Sequence, residues 1–192
     1  MACILLSGFA PFGGCSHNPS ARIAQVLHGT DIEGVQVIGA VLPVVRYESW
    51  SHLSALIDQH QPMAVLSLGQ SNRVGIHLER TAYNLDHYRI ADNKGNQPQH
   101  EEIISEAPEC YASTLPLQAM YDELCRQNID VYFSTDAGRF VCNHLFFQLQ
   151  HALQERYIPS GFVHLPFDYS PRIEKGVEVL LKTVIREHYG AT

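Results

Sequence analysis

The chain has 192 residues, of which 45% are hydrophobic, and a formal net charge of -7 at pH 7. This length and composition suit one domain with a substantial core. The acidic balance argues against nucleic acid as a partner, because binding phosphates requires a basic surface. No apolar run approaches the roughly 20 residues of a membrane span. The first residues lack the basic leader and long apolar stretch of a signal peptide, so we expect neither a membrane partner nor secretion.

The cysteines indicate a reducing compartment. There are five, at positions 3, 15, 110, 125 and 142, with no pair at CxxC spacing. An odd number without such spacing is a poor disulfide framework and a poor zinc pattern. We therefore expect a cytoplasmic protein that holds no metal and keeps its thiols reduced.

Short apolar runs alternate with segments of helical periodicity along the chain. The first half of the chain predicts a strand at 3–7, a helix capped by Ser20, a strand at Val35–Leu42, a helix carrying Trp50, Leu53, Leu56 and Ile57, and a strand at 64–68. The second half predicts a helix at 117–125, a strand at Val131–Ser134, a helix at 145–153, a strand at 161–164 and a helix at 173–185. Residues 73–99 have mixed polarity and predict a short β excursion or an active-site loop.

This alternation predicts the α/β class: a single three-layer domain, residues 1–192, with a largely parallel twisted sheet flanked by helices. In such sheets, ligands collect where strands end at their carboxyl edge. Four segments are predicted to lie at such ends, and they are residues 8–14, 69–72, 136–142 and 164–166.

Cys142 is the strongest candidate nucleophile. A predicted strand ends near Ser134, Gly138 permits a sharp turn, and a helix begins near Cys142. A thiol at a helix N-terminus meets unpaired N–H groups and the positive end of the helix dipole, which lower its pKa. The same N–H groups could hold the oxyanion of an acyl intermediate. The competing interpretation is a small buried hydrophobic residue, the common fate of a free cysteine.

A thiol nucleophile needs a base, and His164 is the best placed of the 11 histidines. His144 lies two residues from Cys142 on the same helix and should face another direction. His164 ends a predicted strand at the edge where the turn before Cys142 is expected. Spacing does not identify the acid that would orient the imidazole. The candidates are Glu79, Asp86, Asp92, Asp136 and Asp168.

Four sequence blocks in order resemble the type I pyroglutamyl peptidases, also called pyrrolidone-carboxylate peptidases. The blocks are GFAPFGG (8–14) with NPS (18–20); ERTAYN (79–84) with RIADN (89–93) and GNQP (95–98); AG (137–138) with FVCNHLF (140–146); and GFVHLPF (161–167). They span most of the chain, and four in order are highly specific.

The resemblance implies a phosphorylase- or hydrolase-like fold and a cysteine exopeptidase that removes N-terminal pyroglutamate from small peptides. It implies a catalytic triad of Cys142, His164 and Glu79, with Glu79 orienting the imidazole. It also implies that no metal or organic cofactor is needed and that the protein forms a homo-oligomer, a tetramer in many family members. The implied substrate-binding residues are Phe9 and Phe12 on the pyrrolidone ring, Gln70 and the main chain at Phe140 and Val141 by the lactam, and Arg89 polarising the scissile carbonyl.

The sequence departs from the family pattern near the nucleophile. Asp136 and Arg139 stand where small polar residues are usual, and their charges are expected either to alter the pocket or to pair with each other. The stretch from Ser71 to Leu78 is slightly short, and the last helix comes early after Phe167.

Two other functions fit parts of the sequence. A nucleoside-phosphorylase-like enzyme would use the glycine-rich segment 8–14 to cradle phosphate, although it matches neither GxGxxG nor a P-loop. A catalytically inactive module would bind pyroglutamyl peptides without turnover.

Overall fold

A seven-stranded sheet lies at the centre of the computed structural model, which describes residues 2–189. The strands are β1 (Cys3–Phe9), β2 (Asp31–Ile32), β3 (Val35–Leu42), β4 (Ala64–Ser71), β5 (Ile76–Glu79), β6 (Thr81–Tyr83), β7 (Cys110–Ala112), β8 (Val131–Ser134) and β9 (Ser160–Pro166). The helices are α1 (Pro19–Leu27), α2 (Glu48–His60), α3 (Leu117–Arg126), α4 (Val141–Leu153) and α5 (Pro171–Tyr189).

The strand order is β2-β3-β1-β4-β9-β5-β8, and β6 pairs with β7 in a separate two-stranded sheet. The four central strands β3, β1, β4 and β9 are parallel, so the prediction of a largely parallel α/β sheet is confirmed. Two strands differ from the expected direction. β5 runs antiparallel to β9 and parallel to β8, so β8 also runs against β9. The expectation that Ser134 and His164 end at the same sheet edge is therefore wrong.

The two faces of the sheet carry separate cores, which gives the three layers that the sequence predicts. Alternate strand residues point to opposite faces because the side-chain period of a strand is two. Ile4 and Leu6 of β1 face α1, α3 and α5, whereas Leu5 and Phe9 face α2 and α4. On the second face the buried side of α4, including Phe146, packs against Phe162 of β9.

The segment of mixed polarity forms part of the main sheet. It supplies β5, then β6, and then a long connection that ends at β7. The connection is held by Asn84, whose side chain accepts N–H groups from Ile103 and Ile104 and donates to the carbonyl of Ile104. The β excursion expected from the sequence thus contains an internal strand of the sheet. Within residues 2–189, no helix is long and apolar enough to span a membrane.

Candidate active site

The sheet brings Glu79 and His164 together from two antiparallel strands. Glu79 of β5 lies opposite Phe162 of β9, two residues from His164, and both side chains project toward α4. Diagonal neighbours of this kind are within reach of long side chains. His164 Nδ1 lies 2.7 Å from Glu79 Oε1, and both side chains are almost fully buried. A carboxylate bound at Nδ1 sets the tautomer and leaves Nε2 to exchange a proton.

Glu79 is held as a buried carboxylate. Burial alone would raise its pKa, but the hydrogen bond and charge of His164, followed by hydrogen bonds from Ser134 and Arg73, outweigh burial and lower that pKa. Arg73 Nη2 lies 2.5 Å from Glu79 Oε1. No pattern in the sequence singles out Arg73, because an arginine in a polar loop is usually solvated.

Cys142 lies in the first turn of α4, which begins at Val141, and its thiol packs against a glycine of the sheet. A Cβ built on Gly69 would lie 3.1 Å from Cys142 Sγ, so only a residue without a side chain leaves room for the sulfur. Gly69 of β4 is the register partner of His164 on β9. The thiol of α4 therefore lies against β4 at the level where the imidazole projects from the adjacent strand β9.

The pKa of Cys142 does not follow the expectation from its position at a helix N-terminus. Burial raises it to about 12, and the negative charge of Glu79 acts in the same direction. The residue's own backbone N–H opposes both effects but does not overcome them. Desolvation of the charged form outweighs the helix terminus here. A thiol with its pKa raised in this way is protonated at pH 7 and would need a base in order to act as a nucleophile.

Two polar residues after Cys142 anchor the start of α4. The Asn143 side chain accepts the N–H of Tyr83 at 2.9 Å and donates to the carbonyls of Tyr83 and Leu85. His144, rejected as the base on sequence grounds, lies with Nδ1 2.8 Å from Asp86 Oδ2.

Asp86 in turn receives a charged hydrogen bond from Arg46 Nε at 2.7 Å, and Arg46 Nη1 reaches Glu101. This buried network was not predicted. One feature of the sequence could have indicated the network. Asn143 and His144 are polar residues on the inward face of an apolar helix, and buried polar groups need hydrogen-bond partners.

A narrow cavity opens beside the thiol. Its lining combines aromatic walls with two amide side chains and comprises Phe9, Phe12, Asn18, Val44, Gln70, Phe140, Val141 and Cys142. Five of the six substrate-binding residues implied by the family resemblance thus surround one cavity. Gln70 Oε1 is buried there without a hydrogen-bond partner among the described residues. Asn18 and Val44 are lining residues that the sequence did not single out.

Arg89 lies in a neighbouring cavity rather than in the cavity of the thiol. That second cavity is lined by Phe12, His87, Arg89, Ile90, Arg139 and Phe140. The two cavities share Phe12 and Phe140, whose ring centroids are 5.7 Å apart. Arg89 is exposed, at the side of the site where the shared aromatic wall ends.

Asp136 and Arg139 pair with each other, one of the two outcomes expected for them. Arg139 Nη1 lies 2.5 Å from Asp136 Oδ1, and the same oxygen accepts the N–H of Gly138. Gly138 has φ +81°, a turn conformation that glycine adopts without strain. The Arg139 guanidinium also stacks over Tyr83 at 4.2 Å. The ion pair thus spans the turn that leads into α4.

Asn18 and Ser20 fix the end of β1 and the residues after it, where Phe9 and Phe12 lie, to the start of α1. Asn18, rather than the predicted Ser20, caps the helix, because its side chain accepts the Ser20 N–H and Pro19 already occupies the first helical position. Ser20 Oγ accepts the N–H of Phe9 at 2.9 Å, and Asn18 Nδ2 donates to Ala10 O. A Cβ on Gly8 would overlap the Ser20 carbonyl, so glycine permits this close approach.

No metal-binding cluster of three or more His, Cys, Asp or Glu residues occurs within residues 2–189. The five cysteines, all within this part of the chain, are free thiols.

Comparison with known proteins identifies the family. The family model described as pyroglutamyl peptidase matches residues 2–180. The pyrrolidone-carboxylate peptidase of Vibrio vulnificus strain YJ016 is 46% identical over 167 residues, covering 86% of this chain and 79% of that protein. The corresponding Bacillus cereus protein (strain ATCC 10987 / NRS 248) is 42% identical over 170 residues, covering 87% and 79%.

Solved structures agree in fold. The pyroglutamyl peptidase I of Bacillus amyloliquefaciens superimposes with a TM-score of 0.91 at 34% identity, covering 95% of this chain and 94% of that one. The pyrrolidone carboxyl peptidase of Thermococcus litoralis gives a TM-score of 0.95 at 30% identity, covering 100% and 97%. With 46% identity to a curated relative and a family model that spans nearly its whole length, this chain belongs to the pyroglutamyl peptidase family.

Proposed function

We propose that this protein hydrolyses the amide bond after an N-terminal pyroglutamate, with Cys142 as nucleophile, His164 as acid and base, and Glu79 as the group that orients His164. The observation that carries the proposal is the thiol of Cys142 packed on Gly69, directly beside the register position of His164, whose Nδ1 is bound to a buried carboxylate. A nucleophile, a base and an orienting acid in this order are the elements of acyl transfer.

The lining of the cavity beside the thiol matches the chemistry of a small lactam ring. Phe9, Phe12 and Phe140 supply apolar walls, and the unpaired Gln70 Oε1 offers an acceptor to the lactam N–H. We place the main chain at Phe140 and Val141, which line the same cavity, beside the lactam. An ordinary N-terminus carries a charge that this apolar cavity could not pair, and its desolvation would be costly.

The reaction proceeds in two steps. His164 Nε2 takes the Cys142 proton as the sulfur attacks the pyroglutamyl carbonyl carbon, which is necessary because a thiol with a pKa of about 12 is neutral at pH 7. The carbon–nitrogen bond breaks, His164 returns the proton to the amine, and a thioester remains. Water then attacks the thioester carbonyl and gives a proton to His164. The carbon–sulfur bond breaks, pyroglutamate leaves, and His164 returns the proton to the sulfur. Backbone N–H groups at the start of α4 hold the oxyanion, and Arg89 helps to polarise the carbonyl.

The test compares a fluorogenic pyroglutamyl amide with the matching prolyl and alanyl amides, each with and without iodoacetamide. We expect turnover of the pyroglutamyl amide alone and its loss after alkylation. Faster hydrolysis of either ordinary amide would refute the proposed specificity. Binding of a pyroglutamyl peptide without turnover would favour the inactive binding module, and phosphate-dependent nucleoside cleavage would favour a phosphorylase.

We also propose that the protein acts in the cytoplasm as a homo-oligomer. The location is supported by the five free thiols, since a catalytic thiol needs a reducing environment. The oligomer, a tetramer, rests on the family resemblance. Light scattering coupled to size exclusion would measure the assembly, and a monomer at assay concentration would refute it.

A further inference from the structure

Arg73 bridges two strands immediately behind the triad. It lies in the short connection between β4 and β5, in the stretch where the sequence departs from the family pattern. Its Nη2 lies 2.5 Å from Glu79 Oε1, and its Nη1 donates to Ser134 Oγ at 2.9 Å. The guanidinium thereby connects the Glu79 carboxylate on β5 to the Ser134 hydroxyl at the end of β8.

The oxygen that binds Arg73 also binds the imidazole. Glu79 Oε1 accepts from both Arg73 Nη2 and His164 Nδ1, whereas Glu79 Oε2 is buried without a partner among the described residues. Arg73 Nη2 and His164 Nδ1 lie 3.3 Å apart. With both nitrogens donating to one oxygen, this separation is a contact between two donors. Arg73 and His164 therefore share a single oxygen of the Glu79 carboxylate.

We propose that Arg73 is a positioning residue for the reaction, which keeps the Glu79 carboxylate ionised and turned so that a single oxygen holds the Nδ1–H of His164. The inference rests on the triad proposed above. A fully buried carboxylate is costly unless a cation compensates it. A guanidinium supplies that charge at every working pH and does so through a fixed fork of donors.

The groups that interact with Glu79 come from β9, β8, the β4–β5 connection, β5 itself and α4. His164 of β9, Ser134 of β8 and Arg73 of the β4–β5 connection stabilise its ionised form, and His77 of β5 interacts with its charge. Cys142 of α4 is affected in turn by the charge of Glu79. Arg73 is permanently charged, so removing it should let the carboxylate take up a proton at a higher pH. The acid limb of the pH dependence of kcat/KM should then move to higher pH.

The experiment measures the pH dependence of kcat and KM for the pyroglutamyl amide with Arg73→Gln, Arg73→Lys and Arg80→Gln. Arg80 is a matched control, because it follows Glu79 in the chain but points the other way, with its guanidinium 3.9 Å from the Phe133 ring on the opposite face. Thermal unfolding of each variant separates loss of fold from loss of positioning.

We expect Arg73→Gln to lower kcat/KM about 10- to 100-fold, part of the roughly 10²–10⁴ that a positioned acid–base group contributes. The loss should fall mainly on kcat, and the acid limb should move upward. Arg73→Lys keeps the charge and should restore the limb to its original position, and Arg80→Gln should match the wild type. If Arg73→Gln does not fold, Arg73→Lys carries the test through its kcat, which should fall because a lysine cannot reproduce the fork.

The inference would be overturned if the Arg73 variants left both the acid limb and kcat unchanged. A loss in Arg73→Gln that is uniform at all pH values, with no shift of the acid limb, would also overturn the inference, because it would show only a structural role for the connection. Failure of the proposed function is distinguishable, since the wild-type protein would then not turn over the pyroglutamyl amide.

Discussion

Replacing Gly69 with alanine should displace the thiol of Cys142, the proposed nucleophile, without substituting any residue of the proposed triad. The added Cβ would lie 3.1 Å from Cys142 Sγ and 2.8 Å from the Phe162 ring. Unstrained carbon contacts lie at about 3.5–4.0 Å, so the sulfur or the strand must move by roughly 0.5–1 Å. Phe162 has little freedom to give way, because it packs between Phe9 and Phe146.

The expected cost follows from these distances. Overpacking a core position costs about 1–3 kcal/mol of stability, and misplacing a reacting group by about 1 Å costs roughly 10²-fold in rate. The assay measures kcat/KM on a pyroglutamyl amide together with the free energy of unfolding in urea. We expect a loss of about 10²-fold in a protein that remains folded.

Gly176→Ala is the matched control. Its Cβ would also be tight, at 2.6 Å from Ile76 Cδ1, but the neighbour is the flexible end of a side chain on the opposite face of the sheet. It should leave kcat/KM unchanged. Wild-type activity in folded Gly69→Ala would refute the close packing of the thiol on β4.

Three further predictions follow from charges around the site. Glu79→Gln should lower kcat about 10³- to 10⁴-fold, since the imidazole loses the carboxylate that holds its tautomer; steady-state kinetics would check it, and a loss below tenfold would contradict it. Alkylation of Cys142 by iodoacetamide, followed by mass spectrometry, should accelerate roughly tenfold per pH unit from about pH 7 to 10, because its pKa of about 12 keeps the thiol protonated throughout; a rate plateau near neutrality would show a preformed thiolate instead. Asp86→Asn should cost about 3–5 kcal/mol of stability, because it leaves Arg46 and His144 without their buried anion. Calorimetry should then show a melting temperature lower by about 6–20 °C. An unchanged melting temperature would contradict this prediction.

The order of strands and helices could be predicted because each main element carries its own apolar period. Val35–Leu42 and Val131–Ser134 are strands with the predicted bounds. The direction of β8 could not be predicted in this way. The direction of β8 is set by its pairing with β5. β5 has only four residues and lies between polar residues, so the sequence shows no clear alternation of apolar and polar side chains there.

The position of Cys142 at the candidate site was predictable, and the surroundings of Cys142 were predictable only in part. Cys142 has a local signature, a turn followed by a helix, which the sequence displays. Glu79 and Arg73 meet across strands whose register no local pattern records, so spacing alone left five acids open and gave no reason to consider the arginine. The pKa of Cys142 was expected to fall because the helix terminus is visible in the sequence. The burial that raises it comes from packing against β4 and β9.

The identity of the nucleophile is the central claim, and it is tested most directly by Cys142→Ala assayed on a pyroglutamyl amide beside Cys125→Ala. Cys125 is an exposed thiol on α3, which packs on the opposite face of the sheet. We predict that Cys142→Ala, folded by circular dichroism, releases amine only at the uncatalysed rate and that Cys125→Ala retains full activity. Substantial turnover by folded Cys142→Ala would contradict the account.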